Sequence, residues 1–246
     1  MRRSDRRLEA RYHNADKVLI GATEFLPDVF PKRRRDGTRS RTRTINLMEN
    51  PKTIVEFWFG RNPDDSAVAK ERSSLWWSKN SQTDTEIRRR FEQLVIAAEA
   101  GELDDWRSSS EAWLALVLLT DQFSRNIYRD TPSAFRFDAI ARTLCVEGLA
   151  ARVDRELRPI ERVFFYLPLE HSEDLDDQNQ CIVLFRELAA EASIGNKTTF
   201  ENFVDFALRH HVIIERFGRF PHRNSIHGRE STREEIEFLN EPNSSF

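Results

Sequence analysis

From residue 48 onward the apolar residues recur at spacings of three and four, the period of a helix that buries one face. Pro51 precedes Ile54, Val55, Phe57, Trp58 and Phe59, and Gly60 marks a stop. Thr83 and Glu86 have the spacing of a capping box, followed by Ile87, Phe91, Leu94, Val95 and Ala98, then Gly101. Ser108 and Glu111 repeat that spacing ahead of Ala112–Leu119, a run so apolar that it predicts the central helix. Thr131 with Pro132 predicts the start of a helix through Phe135, Ala139, Ile140 and Leu144, stopping at Gly148. Pro159 opens a short helix that Pro168 is expected to break.

A further helix is expected from near Ser172, with Leu175, Ile182, Phe185 and Leu188 on one stripe. Thr198 and Glu201 suggest the next cap, ahead of Phe203, Ala207, His210, Ile214 and Phe217, with Gly218 as the stop. Ser231 with Glu234, or Thr232 with Glu235, caps a last short helix. No segment alternates as a strand does. The fold class expected is all-α: an irregular array of helical hairpins closed into one globular domain over residues 48–246.

Two periodic features add to this picture. Gly101, Gly148 and Gly195 lie 47 residues apart, each interval holding two predicted helices, as in a hairpin repeat. The stretch Phe123, Arg125, Asn126, Arg129 also resembles Phe220, Arg223, Asn224, Arg229, each beginning at the end of a helix.

Residues 1–47 differ in character. They carry 13 basic against 6 acidic residues, a net of +7, whereas the remaining 199 carry 25 against 35, a net of −10. Their apolar residues are sparse and aperiodic, so this segment is expected to lack stable packing. A basic arm for nucleic acid or an acidic partner is one reading. A misplaced gene start, with Met48 as the true one, is the other. Acidic Asp5, Glu9, Asp16, Glu24 and Asp28 argue against a mitochondrial presequence.

The acidic balance of residues 48–246 makes them poor at binding phosphate backbones, so no nucleic acid is expected there. Val18–Ala22 is shorter than the apolar core of about 7–15 residues in a secretory signal. Ala112–Leu119 falls far short of the ~20 residues of a membrane span. Cys145 and Cys181 lack metal-ligand spacing and sit in apolar helical patterns, as small buried hydrophobes do. The expected location is the cytoplasm, with no membrane partner and no cofactor.

The chain resembles the bacterial family known as domain of unknown function 924. The matching stretches are Val55–Gly60 (VEFWFG), Leu118–Arg129 (LLTDQFSRNIYR), Glu161–Asp174 (ERVFFYLPLEHSED) and Arg216–Asn224 (RFGRFPHRN). Ser124 departs from the proline usual at that point. The resemblance implies a tetratricopeptide-like helical fold and an internal start near Met48. It transfers no catalytic role.

Three polar clusters within these stretches are the candidate site. Asp121, Gln122, Arg125, Asn126 and Arg129 follow the apolar helix. Glu170, His171, Glu173, Asp174 and Asp177 fall in the first turns of a helix. Arg216, Arg219, His222, Arg223 and Asn224 follow another. A structural network of arginines and carboxylates is one reading. The second is a pocket for an anionic or zwitterionic small molecule, or a surface for a protein partner. Its candidate residues are Arg125, Asn126, Arg129, Glu170, His171, Glu173, Asp174, Arg219, His222, Arg223 and Asn224. Arg125 and Arg223 are expected to pair with Glu170, Glu173 or Asp174, and Trp58, Trp76 or Trp77 to wall the cavity. A third is metal-assisted hydrolysis, with Glu170, Asp174 and Asp177 on one helical face and His171 as base. No established metal or nucleophile motif accompanies it. His210 and His211 are read as one core-facing and one solvent-facing residue.

Overall fold

The computed structural model describes residues 49–242 and residue 244. Expectations for residues 1–47 lie outside the described residues. The described chain is all-α, without strands. Its helices are α1 Pro51–Phe59, α2 Asp65–Trp77, α3 Ser81–Glu99, α4 Ser110–Val117, α5 Asp138–Ala150, α6 Pro159–Glu170, α7 Leu175–Glu191, α8 Lys197–Phe217 and α9 Arg233–Leu239.

Several ends follow local rules. Asn50 caps α1, Pro51 takes its first turn, and Gly60 closes it at φ 74°. Asp174 accepts from the backbone N–H groups of Asp176 and Asp177 at the start of α7. Gly218 ends α8 in the left-handed region. Thr232 and Glu235 form the capping box of α9.

Other ends differ from expectation. Asn80 caps α3 in place of Thr83, because its carboxamide reaches two N–H groups, those of Gln82 and Thr83. Ser109, one residue beyond Ser108, caps α4. α8 starts at Lys197 with no side-chain cap from Asn196, so Thr198 is already helical. Pro132–Phe135 is a separate short 3₁₀ turn, and α5 begins only at Asp138. Pro168 lies inside α6. It removes only its own N–H, and the helix ends two residues later, so little bonding is lost.

The glycine spacing does not mark equivalent positions. Gly101 follows α3 in the left-handed region, and Gly195 lies in the turn between α7 and α8. Gly148 is buried within α5, where a Cβ would stand 2.5 Å from Phe165 Cζ and 3.1 Å from Trp113 Nε1. Close helix packing, not chain termination, selects glycine there.

The α4 run is central, as its all-round apolarity requires: every residue from Ala112 to Leu119 is buried. It packs against α1, α5 and α6, while α7 and α8 form an antiparallel hairpin. Trp58 and Phe59 meet Trp76 and Phe164 in a cluster of edge-on and tilted rings. The two unpaired cysteines lie in this core. No helix among the described residues is long and apolar enough to cross a membrane.

After Val117 the α4 helix widens into a π-helical turn, Leu118–Phe123, then regains one α turn at Ser124–Ile127. The Ser124 N–H donates to Leu119 O, five residues back. Thr120 and Ser124 hydroxyls donate to the carbonyls of Leu116 and Thr120 at 2.8 and 2.7 Å. All six residues of the turn are buried, including Asp121. Turns of this kind recur at functional sites.

Candidate functional site

Asp121 projects from the π turn with no exposed surface. Its Oδ1 lies 2.7 Å from Nδ1 of His171, just past the end of α6. Arg125 Nη2 is 3.5 Å from the same oxygen, and the Gln122 amide donates to Oδ2. Burial opposes the Asp121 charge, but the Arg125 guanidinium and the hydrogen bonds from His171 and Gln122 outweigh it and hold the carboxyl well below the usual carboxylate range. Burial lowers His171 against the pull of Asp121.

His171 forms part of the wall of an open cleft of about 260 Å³. Phe135, Asp138, Ala139 and Arg142 come from the 3₁₀ turn and α5; Pro168, Ser172 and Glu173 come from the α6–α7 corner. Arg223 and His227 come from the segment after α8. Arg223 is only 6% exposed. Its Nη1 donates to His171 O at 2.9 Å and lies 3.7 Å from Asp138 Oδ2. Arg125 Nη2 donates to Asp138 Oδ1 at 3.1 Å. Asp138 thus stands between two guanidiniums, both within about 5 Å of the Phe135 ring centre (5.2 and 4.9 Å). Burial and repulsion by Arg125 bring Arg223 down to about 10.

Behind His171 lies a second buried pair. His210 Nδ1 is 3.3 Å from Glu170 Oε1 and 2.9 Å from Phe206 O. Burial, with Asp121 nearby, pushes Glu170 up to about 8, and burial takes His210 down to about 3. Both are therefore neutral near pH 7.

The remaining candidates separate into two groups. Arg125, Glu170, His171, Glu173 and Arg223 gather at the cleft or directly behind it. Glu173 also accepts two bonds from Arg229, at 2.6 and 2.9 Å, and one from the Phe220 N–H. His222 lies near these groups, and burial brings it down to about 4. Arg129 and Asn126 instead bind Asp84 of α3, Arg129 by two bonds of 2.7 and 2.9 Å. Arg219 binds Glu235 at 2.6 and 2.9 Å, Asn224 donates to Ser231, and Asp174 caps α7. These contacts fasten helix ends to one another.

Arg125 and Arg223 take Asp138 as their shared carboxylate in place of Glu170, Glu173 or Asp174. The π turn and the end of α8 aim both toward α5. Trp58 and Trp76 belong to the core and Trp77 is 53% exposed; the cleft's aromatic wall is Phe135. His210 and His211 are both buried.

The carboxylates proposed for metal-assisted hydrolysis do not converge. Glu170 turns to His210, His171 to Asp121, and Asp174 to the α7 N-terminus. Asp177 takes two bonds from Arg142 and one from Ser172 at 2.6 Å. Among the described residues no group of three or more His, Cys, Asp or Glu is placed to hold a metal.

Sequence patterning missed Asp138, Arg142, Phe135 and His227. Asp138 and Arg142 stand four apart on α5, and that i,i+4 spacing was the available signal.

No curated protein matches the chain. Its structure is similar to that of ATU0120, a protein of unknown function from Agrobacterium tumefaciens, at 35% identity and a TM-score of 0.65. The match covers 77% of this chain and 96% of the other. The model of a family described as bacterial protein of unknown function, DUF924, matches residues 54–243. That match takes in the 3₁₀ turn and α5, the α6–α7 corner and the segment after α8, which line the cleft, together with the π turn behind it, and the chain accordingly belongs to the DUF924 family.

Proposed function

We propose that this domain binds a small oxyanion, a carboxylate or phosphate, in the cleft between α5, the α6–α7 corner and the segment after α8. The observation that carries it is the Arg125–Arg223 pair on one shared carboxylate. A guanidinium has five N–H donors. Arg223 engages one of its donors, and its Nε, like that of Arg125, is out of water and without a partner. A buried donor left unmade is unfavourable, and two adjacent cations add repulsion. An oxyanion in the cleft supplies acceptors to the Arg223 N–H groups that still face it and cancels charge at the pair, in the fork geometry that arginine offers carboxylate and phosphate. Phe135, Ala139 and Pro168 give the ligand an apolar flank.

A reducing, cytoplasmic setting suits the two unpaired, buried cysteines. The α7–α8 hairpin is the segment that best supports a tetratricopeptide-like relationship.

The test is thermal unfolding with phosphate, sulfate, acetate and small dicarboxylates, against chloride at matched ionic strength. A native-state ligand raises the midpoint by mass action. Arg223→Gln should lose the shift relative to its own ligand-free midpoint. Equal midpoints in all these salts would overturn the proposal.

A further inference from the structure

We infer that the cleft takes its oxyanion together with one proton, which resides on Nε2 of His171. This rests on the anion-binding reading above and adds how that site is regulated.

The two ring nitrogens of His171 meet different surroundings. Nδ1 is 2.7 Å from the buried Asp121 carboxylate. An ionised carboxylate only accepts, so Nδ1 carries the hydrogen, and in the neutral ring Nε2 is left with a lone pair. No hydrogen bond from the described residues reaches Nε2, although His171 is part of the cleft wall. A neutral ring would therefore meet an oxyanion lone pair to lone pair. A protonated ring offers it an N–H and a charge-assisted bond.

The neighbours set the balance. From the π turn and the helical turn after it, Asp121 favours the charged ring and Arg125 opposes it. From the segment after α8, Arg223 opposes it as well. From α5, Asp138 lies between those two guanidiniums and offsets part of their charge. His210 of α8, its ring centre 6.4 Å away, and His222 are held neutral by burial. Glu170, on the ring's own helix, keeps its proton. In the ligand-free protein burial holds His171 below its ordinary value, so the ring is neutral near pH 7.

A bound oxyanion cancels the field of the arginine pair and adds an acceptor for Nε2–H. Both changes favour protonation. The balanced step is protein plus anion plus one solvent proton, giving the complex with an imidazolium; no other bond changes. Affinity should then fall by about tenfold per pH unit above the ligand-free pKa of His171, until the pKa of the complex is passed.

Sulfate is a suitable probe because it does not itself titrate near neutrality. Calorimetric titration with sulfate, in two buffers of different ionisation heat and across the neutral range, reads affinity and proton uptake together. Uptake approaching one proton, with affinity falling as pH rises, is expected. His171→Gln keeps an N–H donor near the Nε2 position and should bind with no proton uptake and a flat pH profile. Glu170→Gln should leave the uptake intact. The ring ¹⁵N shifts of His171 in the wild-type protein, with and without sulfate, give the same answer without a variant. Sulfate binding with no uptake and an unmoved His171 pKa overturns this inference and leaves anion binding standing. Uptake that persists in His171→Gln and vanishes in Glu170→Gln also overturns it, by moving the proton to Glu170. If sulfate, phosphate and the carboxylates all fail to bind at any pH, both readings fall.

Discussion

Asp138 and Arg223 meet at 3.7 Å across the cleft, and the carboxylate that Arg223 approaches is the one Arg125 already holds at 3.1 Å. Asp138→Asn would leave two cations facing each other. It should destabilise the ligand-free protein by about 1–3 kcal/mol, less than the about 3–5 kcal/mol of a wholly buried pair, since Asp138 is partly exposed. Sulfate should then stabilise Asp138→Asn by more than it stabilises wild type. Equal stabilisation of the two proteins in denaturant melts would show that the arginines do not lack a counter-charge.

The pair formed by Glu170 and His210 makes stability depend on pH in both directions. Glu170 is raised to about 8 in the folded state, above an unfolded carboxyl near 4.5. Its stabilising effect is complete below about 4.5 and is lost as pH rises through 8. Glu170→Gln should remove that decline and leave the variant more stable than wild type at pH 8, by on the order of a few kcal/mol. His210 is lowered to about 3, so it contributes above its unfolded value of 6.5 and costs stability as pH falls toward 3. Urea melts at pH 5, 6.5 and 8 separate the two slopes. Parallel wild-type and Glu170→Gln profiles would show that Glu170 ionises freely.

Leu116 and Leu118 lie in the run that every neighbouring helix covers, at 3% and 0% exposure. Replacing either with Ala should cost roughly 2–5 kcal/mol in chemical denaturation. Costs below about 0.5 kcal/mol at both would put the centre of the core elsewhere.

At Gly148 a methyl group would enter the space of Phe165 and Trp113. Helix propensity alone predicts that Gly→Ala gains about 1 kcal/mol. Overpacking opposes this at roughly 1–3 kcal/mol, so Gly148→Ala should be neutral to destabilising. A clear rise in melting temperature would mean that α5 and α6 separate easily.

The sequence by itself determined the all-α class, the position of most helices, the buried cysteines and the dominance of the Ala112–Leu119 run. Those features follow from local periodicity and capping chemistry, which act over a few residues. It also marked the paired turns at Phe123 and Phe220, whose Arg125 and Arg223 prove to flank one carboxylate. What closes that arrangement was decided only by tertiary structure. Asp121 and His171 are 50 residues apart, and Asp138 reads along the chain as the solvated face of α5. The π turn leaves no separate trace, because Thr120, Asp121 and Gln122 read along the chain as the polar end of an apolar helix, and the extra backbone residue appears only when neighbours bury it. Glu170 and His210 likewise look like ordinary polar residues until packing removes water from both. Sequence order carries propensity and pattern, but desolvation and charge proximity depend on which distant helices meet, and those two quantities separate the residues of the cleft from the residues that fasten helix ends.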